Sequence, residues 1–470
     1  MAAKKCVVII GGGFSGTLTA IQLVRQAAFP LCVKLVNSGY AVGQGLAYSS
    51  ESDLHLLNVR AYRMSAFPHL PAHFVHWLEK QPDVQQYCQP GQTMNDAFMP
   101  RQVFGTYLKE LLDHTMANLP ASVKLELIDA RATDVIPEER HAYRVKLSTG
   151  QELMAEKLVL ALGNFAPAPL PGLAPELLHQ PAYGANPWNP AVLEDLKPDE
   201  PVLLAGTGLT MVDVVLSLKQ QKFTGPIIAV SPGGQLPMVH RQSQPYPDFC
   251  NELQPPFELT DVYAKVKKHI RQALSQGSTC EALIDTLRPK TQQIWQGLSL
   301  QDQQRFIRHL SSMWGVFRHR IAPQVADSIR EMQESGQLLV KAGRVKALKP
   351  VPEGVEVTLK LKGQAGTEKL VVQRVINCTG PQCDYSKIDA PLVQKLREHH
   401  LVQADKLHLG IRAQADGHVL KPGGKPSPDI FTLGPLLRGV LWESTAVPEI
   451  SWQASHLAQT VLNSFIPHKS

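Results

Sequence analysis

Two glycine-rich loops, each directly after a short apolar run, constrain this 470-residue chain more than any other feature. The first reads Val7-Val8-Ile9-Ile10-Gly11-Gly12-Gly13-Phe14-Ser15-Gly16, and the second Val202-Leu203-Leu204-Ala205-Gly206-Thr207-Gly208-Leu209-Thr210. A lone GxGxxG arises by chance. Two such loops, each with strand before and helix after, predict an enzyme that binds two dinucleotides and passes electrons between them. In the first loop, Gly11 permits the tight turn, Gly13 lets the backbone approach a pyrophosphate, and Gly16 lets helix pack on strand. The phosphates then meet free N–H groups at the N-terminus of the following helix.

The surrounding pattern repeats. Helix Thr17–Gln26 and strand Val33–Val36 complete a βαβ unit. Helix Gln102–Met116 follows, then strands Val123–Leu127, Tyr143–Leu147 and Leu158–Leu162, ending in Ala161-Leu162-Gly163. In the second half, strand Val202–Ala205, helix Met211–Lys219 and strand Ile227–Val230 form another unit. Strands Leu338–Lys341, Val355–Lys360 and Val371–Ile376 then lead to Asn377-Cys378-Thr379-Gly380. One plan used twice is stronger evidence than either loop alone. Between the halves, a polar insertion at about 235–336 predicts helices over 259–275, 279–296, 299–313 and 322–335. A last helix is expected over Ile450–Leu462.

At roughly 150 residues per domain, the length implies two or three domains. Charge excludes little but points nowhere exotic: 47 basic against 41 acidic residues give +6, and the basic residues are dispersed, so neither nucleic acid nor membrane is an expected partner. No stretch reaches the roughly 20 apolar residues of a bilayer span. The basic pair Lys4-Lys5 precedes only Cys6–Ile10 before the glycines, too short a run for a secretion signal. Seven irregularly spaced cysteines argue against a disulfide scaffold and for the cytoplasm.

Several longer motifs resemble the bacterial FAD/NAD(P)-binding family of the YdhS type. They include Gly11–Gly16, Gln44–Tyr48, His55–Val59, Met99–Gly105 (with Arg101), Asn186–Trp188, Gly206–Asp213, Arg305–Leu310, Arg318–Arg320 and Gly439–Glu449. The resemblance covers nearly the whole chain and carries over no substrate. It implies FAD at the N-terminal loop, held by Gly11, Gly13, Phe14, Ser15, Gly16 and Asn37, with Asn58, Met64 and Arg101 nearby. It further implies that Asp134-Val135 passes the adenine and that Ala161 and Gly163 lie near the FAD. Gly434 would end the last strand of that domain, and Ala446-Val447-Pro448 would set a helix N-terminus near the isoalloxazine, where its dipole favours negative charge. A plain helix start is the other reading of Pro448.

Two departures stand out. Asn37 occupies the place where an acidic residue normally grips the ribose. Beyond the second loop, where Gly206, Gly208, Leu209, Thr210, Thr379 and Gly380 are the expected contacts, the chain reads Ser231-Pro232-Gly233-Gly234 and lacks the arginines that grip a 2′-phosphate. Arg241 is a nearby substitute. Asp213 is odd for an anion site and suits a loop-orienting role.

Other constellations count for less. Cys378 and Cys383 have CxxxxC spacing but follow the second half's last strand, which favours a structural role. Arg305, Arg308, His309, Arg318, His319 and Arg320, with Trp314 and Phe317, form a basic-aromatic region that suits either an anion or a solvated helix face. No histidine set has metal-site spacing, and no GxSxG elbow is present.

The reading is α/β: two Rossmann-like dinucleotide-binding domains with a helical elaboration. An FAD domain is formed by 1–168 and 377–470, and an NAD(P)-type domain by 169–376. The expected function is an FAD-dependent oxidoreductase taking hydride from NADPH or NADH. Its favoured subclass is a monooxygenase, by N-hydroxylation of a small polar substrate in a dry pocket near Asn58, Met64 and Trp442. No catalytic residue, substrate or oligomeric state is named. A flavin-binding sensor or scaffold, and a reductase feeding a protein partner, stay open.

Overall fold

The computed structural model describes residues 5–241 and 244–466; Lys4 of the N-terminal basic pair lies outside them. Two sheets carry the architecture. The first begins with β1 (Lys5–Ile10) and β2 (Leu31–Asn37), joined through helix Phe14–Gln26. It continues with β3 (Val123–Asp129) and β7 (Lys157–Leu160), and between these the chain forms a separate three-stranded meander of β4 (Ala132–Glu138), β5 (Ala142–Leu147) and β6 (Glu152–Ala155). The second half supplies β8 (Tyr183–Gly184), β9 (Val202–Ala205), β10 (Ile227–Ser231), β11 (Leu338–Val351), β12 (Gly354–Leu361), β13 (Glu368–Val372) and β14 (Arg374–Asn377). The chain then returns to the first sheet with β15 (His418–Leu420) and β16 (Pro426–Thr432).

The first sheet runs β15-β16-β7-β1-β2-β3, parallel except for the β15–β16 edge. The second runs β13-β12-β11-β10-β9-β14-β8, parallel from β11 to β8. Sequence explains the centres. Val7–Ile10 and Val202–Ala205 are buried throughout, as strands covered on both faces must be, which accounts for their unbroken apolar runs. In the meander, Tyr143, Val145 and Leu147 are buried and alternate with half-buried neighbours, the period of a one-sided sheet. The fold is thus two Rossmann-like domains, the first discontinuous and the second inserted into it.

In both sheets the glycine loop follows the strand at which the order reverses: β1 lies between β2 and β7, and β9 between β10 and β14. Such switch points leave a crevice at the carboxyl ends of the strands.

The elements differ from expectation in instructive places. The single strand expected at Val371–Ile376 is two strands at separate positions in the sheet, split at Gln373. The Gln373 amide donates to the carbonyls of Lys197 and Glu200, and the chain there moves from antiparallel pairing with β12 to parallel pairing with β9. The helix expected over 279–296 is Cys280–Leu287 and Thr291–Gly297, separated by a 3-10 turn that contains Pro289, because proline cannot continue an α-helix interior. That over 299–313 is Leu300–His309, followed by a separate helix Ser311–Arg318. The polar insertion also encloses an apolar core of its own, including Phe249, Leu283, Ile294 and Trp295.

Candidate functional site: two dinucleotide clefts

The first loop closes on the end of β7. Gly11 has φ +109°, and a Cβ there would collide with the carbonyl oxygen of Ala161. A Cβ on Gly16 would collide with the Gly11 carbonyl, so this glycine sets how closely helix Phe14–Gln26 packs on β1. That helix starts at Gly13 with no side-chain cap and no acid in its first turn, leaving its N–H groups and dipole free for an anion. A cleft of about 890 Å³ opens in front, lined by Gly11–Gly13, Asn37, Asp129–Thr133, Ala161–Phe165 and Ala390–Val393. An uncapped helix end, a glycine turn and a long crevice fit a pyrophosphate with an adenosine beyond it.

The second loop reproduces this geometry. Gly206 has φ +121°, and its Cβ would strike the carbonyl oxygen of Cys378, the first residue after β14, just as Gly11 meets the first residue after β7. Helix Leu209–Gln220 begins at Gly208, again with no side-chain cap and no acid in the first turn. Its cleft, about 760 Å³, is lined by Gly206–Thr210, Val230–Gly233, Thr379 and Gly380. The Thr207 hydroxyl donates to the Gln235 carbonyl at 2.5 Å and sits 2.8 Å from Ser231 Oγ, which fixes the turn.

The other expected site residues fall unevenly. Asn37 lines the first cleft, with its amide donating to the Tyr40 carbonyl at 2.7 Å. Phe14 is buried in the core behind the loop. Gly434 lies against Ser15: its Cβ would come within 2.9 Å of the Ser15 hydroxyl oxygen, and its N–H donates to Gln453 Oε1. Val135, by contrast, is buried behind the cleft, and Asp129–Thr133 form the wall in its stead. Met64 is inside the first core, Asn58 accepts at its carbonyl from His240 Nε2, and Trp442 belongs to the core of the helical insertion.

Arg101 points away from the cleft. Its guanidinium donates to both carboxylate oxygens of Asp213, at 2.8 and 2.9 Å. This pair gives Asp213 its role: it ties the helix after the second loop to helix Arg101–Ala117 of the first domain. Beside it, His55 Nε2 donates to the Asp213 carbonyl at 3.1 Å. Burial lowers the His55 pKa, with the Asp213 carboxylate opposing.

Arg241 lies in a separate groove with Asp327 and Arg330. The cations of the second cleft are Arg344 and Lys346, exposed residues of β11 next to the end of β10. Sequence reasoning passed over them because it ends the third strand of the unit at Lys341, whereas β11 continues to Val351; the signal was their i, i+2 spacing, which places both on one face. Also missed were Gly12, which packs against Asn37, and the face Ser312, Gly315 and Val316 of helix Ser311–Arg318; with His319 of the basic-aromatic region, just beyond the helix, that face lines the second cleft.

The basic-aromatic region divides along the same lines. Arg305, Arg308 and His309 are exposed, and Arg305 pairs with Asp302. Arg320 is buried against Asp285. Arg318 reaches the loop before the last helix and Arg288 the first turn of that helix: Arg318 pairs with Glu443 at 3.1 Å and Arg288 with Glu449 at 2.5 Å. Trp314 Nε1 donates to Glu443 and Trp295 Nε1 to the Gly439 carbonyl. The helical insertion thereby fixes the segment that leads into helix Val447–Asn463, whose N-terminus is at Ala446.

Cys378 and Cys383 are free thiols, and burial pushes the Cys378 pKa well up, opposite to an active redox thiol. No helix among the described residues is long and apolar enough to cross a membrane.

Residues 8–165 match an FAD-NAD(P)-binding family model. A nitrosuccinic acid synthase of Aspergillus oryzae is 35% identical over 136 residues, 26% of this chain and 20% of that protein. An L-aspartate N-monooxygenase (nitrosuccinate-forming) of Streptomyces davaonensis is 26% identical over 249 residues, 45% of this chain and 38% of that one. The matches therefore span from a fifth to under two fifths of these relatives' lengths. Among solved structures, the reduced ornithine hydroxylase of Pseudomonas aeruginosa superposes with a TM-score of 0.67 at 14% identity, over 98% of this chain and 100% of that one.

Fold, clefts and the match over residues 8–165 define a structural class: paired Rossmann-like domains, the first of which matches an FAD-NAD(P)-binding family model. Within that class the YdhS-type assignment is corrected. The whole-chain likenesses run to the architecture of flavin N-hydroxylases, among them lysine and ornithine hydroxylases.

Proposed function

We propose that this protein is an FAD-dependent, NAD(P)H-consuming monooxygenase that hydroxylates the amino nitrogen of a small amino acid with a second carboxylate. The observation that carries the reading is the pair of matched clefts, each with a glycine turn locked by a carbonyl and an uncapped helix end. Both relatives are named for forming nitrosuccinate and one of them for acting on L-aspartate, which suggests the substrate class.

Bound FAD supplies hydride acceptance and oxygen activation. The chain holds and orients it. Gly11, Gly13 and Gly16 admit the pyrophosphate to the helix end, Asn37 meets the ribose, and the N-terminus at Ala446–Pro448 offers its dipole to a reduced ring. The second loop holds the coenzyme diphosphate, and Arg344 and Lys346 meet any further phosphate. Arg101 with Asp213 keeps the two clefts in register. The seven cysteines are free thiols, which suits a cytoplasmic location.

The test is anaerobic mixing of the flavin-loaded protein with NADPH or NADH, followed by air and L-aspartate. Loss of absorbance at about 450 nm, the oxidised-flavin band, then oxygen uptake matched by N-oxygenated product, is expected. Flavin that stays oxidised with both coenzymes overturns the reading, as does peroxide equal to the oxygen consumed whatever amino acid is added.

A further inference from the structure

The helical insertion carries an apolar pocket of about 280 Å³, half open to solvent, that neither cleft includes. Its wall is formed by side chains such as Val266, Ile284, Ile294, Trp295, Trp314 and Trp442. Three polar groups of that wall are already engaged. The N–H of Trp295 donates to the Gly439 carbonyl, that of Trp314 to Glu443, and the Thr291 hydroxyl to the Leu287 carbonyl. A concave pocket lined by apolar and aromatic side chains offers water few partners and favours an apolar guest. At the rim, Lys267 is exposed beside Tyr263, whereas Lys265 and Lys268 on the same helix have acidic partners in Asp261 and Glu252.

We propose that this pocket is a binding site for a straight-chain monocarboxylate, its hydrocarbon along the apolar wall and its carboxylate at Lys267. Helix Ser311–Arg318 forms a wall shared with the second cleft. Met313, Trp314 and Phe317 face the cavity, while Ser312, Gly315 and Val316 face the coenzyme. A chain in the cavity therefore touches the element that shapes the coenzyme site, and each ligand changes the other's affinity by the same factor. This coupling rests on the coenzyme reading of the second cleft; binding in the cavity does not.

The flavin-loaded protein is titrated with hexanoate through dodecanoate and with the matching alcohols, read by tryptophan fluorescence and calorimetry. Affinity is expected to rise about fourfold per added methylene, the transfer value of one buried CH₂, until the cavity is full. The alcohols bind more weakly. Lys267→Met, an exposed change, removes that difference, and Ile284→Trp fills the cavity and abolishes binding. If Ile284→Trp fails to fold, the chain-length series and Lys267→Met decide alone. A bound carboxylate is also expected to shift the coenzyme Kd. No binding, affinity independent of chain length, binding only to phospholipid vesicles, or a dimer that buries the cavity would each overturn the proposal. Because none of these readouts needs turnover, their failure is distinct from failure of the monooxygenase reading.

Discussion

Gly11 and Gly206 do the same work at two places, and the same substitution separates them. Gly11→Ala drives a methyl into the Ala161 carbonyl, and Gly206→Ala drives one into that of Cys378; each also forces a side chain into a positive-φ conformation. Gly11→Ala is expected to purify with little flavin. Gly206→Ala is expected to retain flavin but resist bleaching by NAD(P)H. Absorbance spectra before and after anaerobic coenzyme check both. A second residue sets a pH response. Burial depresses the His240 pKa from 6.5 to about 4, although its Nε2–H bond to the Asn58 carbonyl opposes this. The unfolded chain therefore takes up the proton first as pH falls. Stability present above pH 6.5 is lost down to about 4 and levels off below it. His240→Gln, which keeps a donor for Asn58, is expected to flatten part of that slope in urea midpoints measured from pH 7 to 4. His55, His73 and His319, lowered by burial in the same direction, contribute to the slope that remains.

Among the elements, helix Ser311–Arg318 is the one whose two faces meet different ligands. Gly315 has space for a side chain: only His319 Nδ1 lies near its Cβ direction, at 3.8 Å. Gly315→Leu is expected to fold and to project into the second cleft. Its coenzyme Kd should rise by at least about tenfold, one lost contact of 1.4 kcal/mol, with FAD content unchanged. Equilibrium titration of the oxidised enzyme with NADP⁺ measures it. This face was not legible in the sequence. The sequence predicts one helix over 299–313, but the helix breaks at Leu310 and a second segment starts at Ser311. Glycine loops are easier to read, because a backbone forced against a carbonyl or a phosphate leaves only glycine as a choice.

For the whole molecule, the contact that matters is Arg101 with Asp213, a bidentate pair less than a fifth exposed on either side. Arg101→Ala leaves a partly buried carboxylate without its partner, at a cost of about 1–3 kcal/mol. Each nucleotide is expected to bind within about twofold of the parent. Flavin reduction by the coenzyme should slow by on the order of tenfold or more, since small misplacement of reacting partners is costly. Stopped-flow reduction at saturating coenzyme tests this, and an unchanged rate would mean that the pair only stabilises the fold.

By itself the sequence determined the two Rossmann-like units, their glycine turns and the paired cofactors, because those features are local: a strand buried on both faces, a forced turn and a helix start within about ten residues. Only the tertiary structure decided what is assembled from afar. Arg101 turned from an expected cofactor contact into a tie between domains, and Val135 withdrew behind the wall formed by Asp129–Thr133. The cations missing after Ser231 arrived on the neighbouring strand as Arg344 and Lys346. Pairing β10 with β11 brings together residues more than a hundred positions apart, and no periodicity along the chain encodes that meeting.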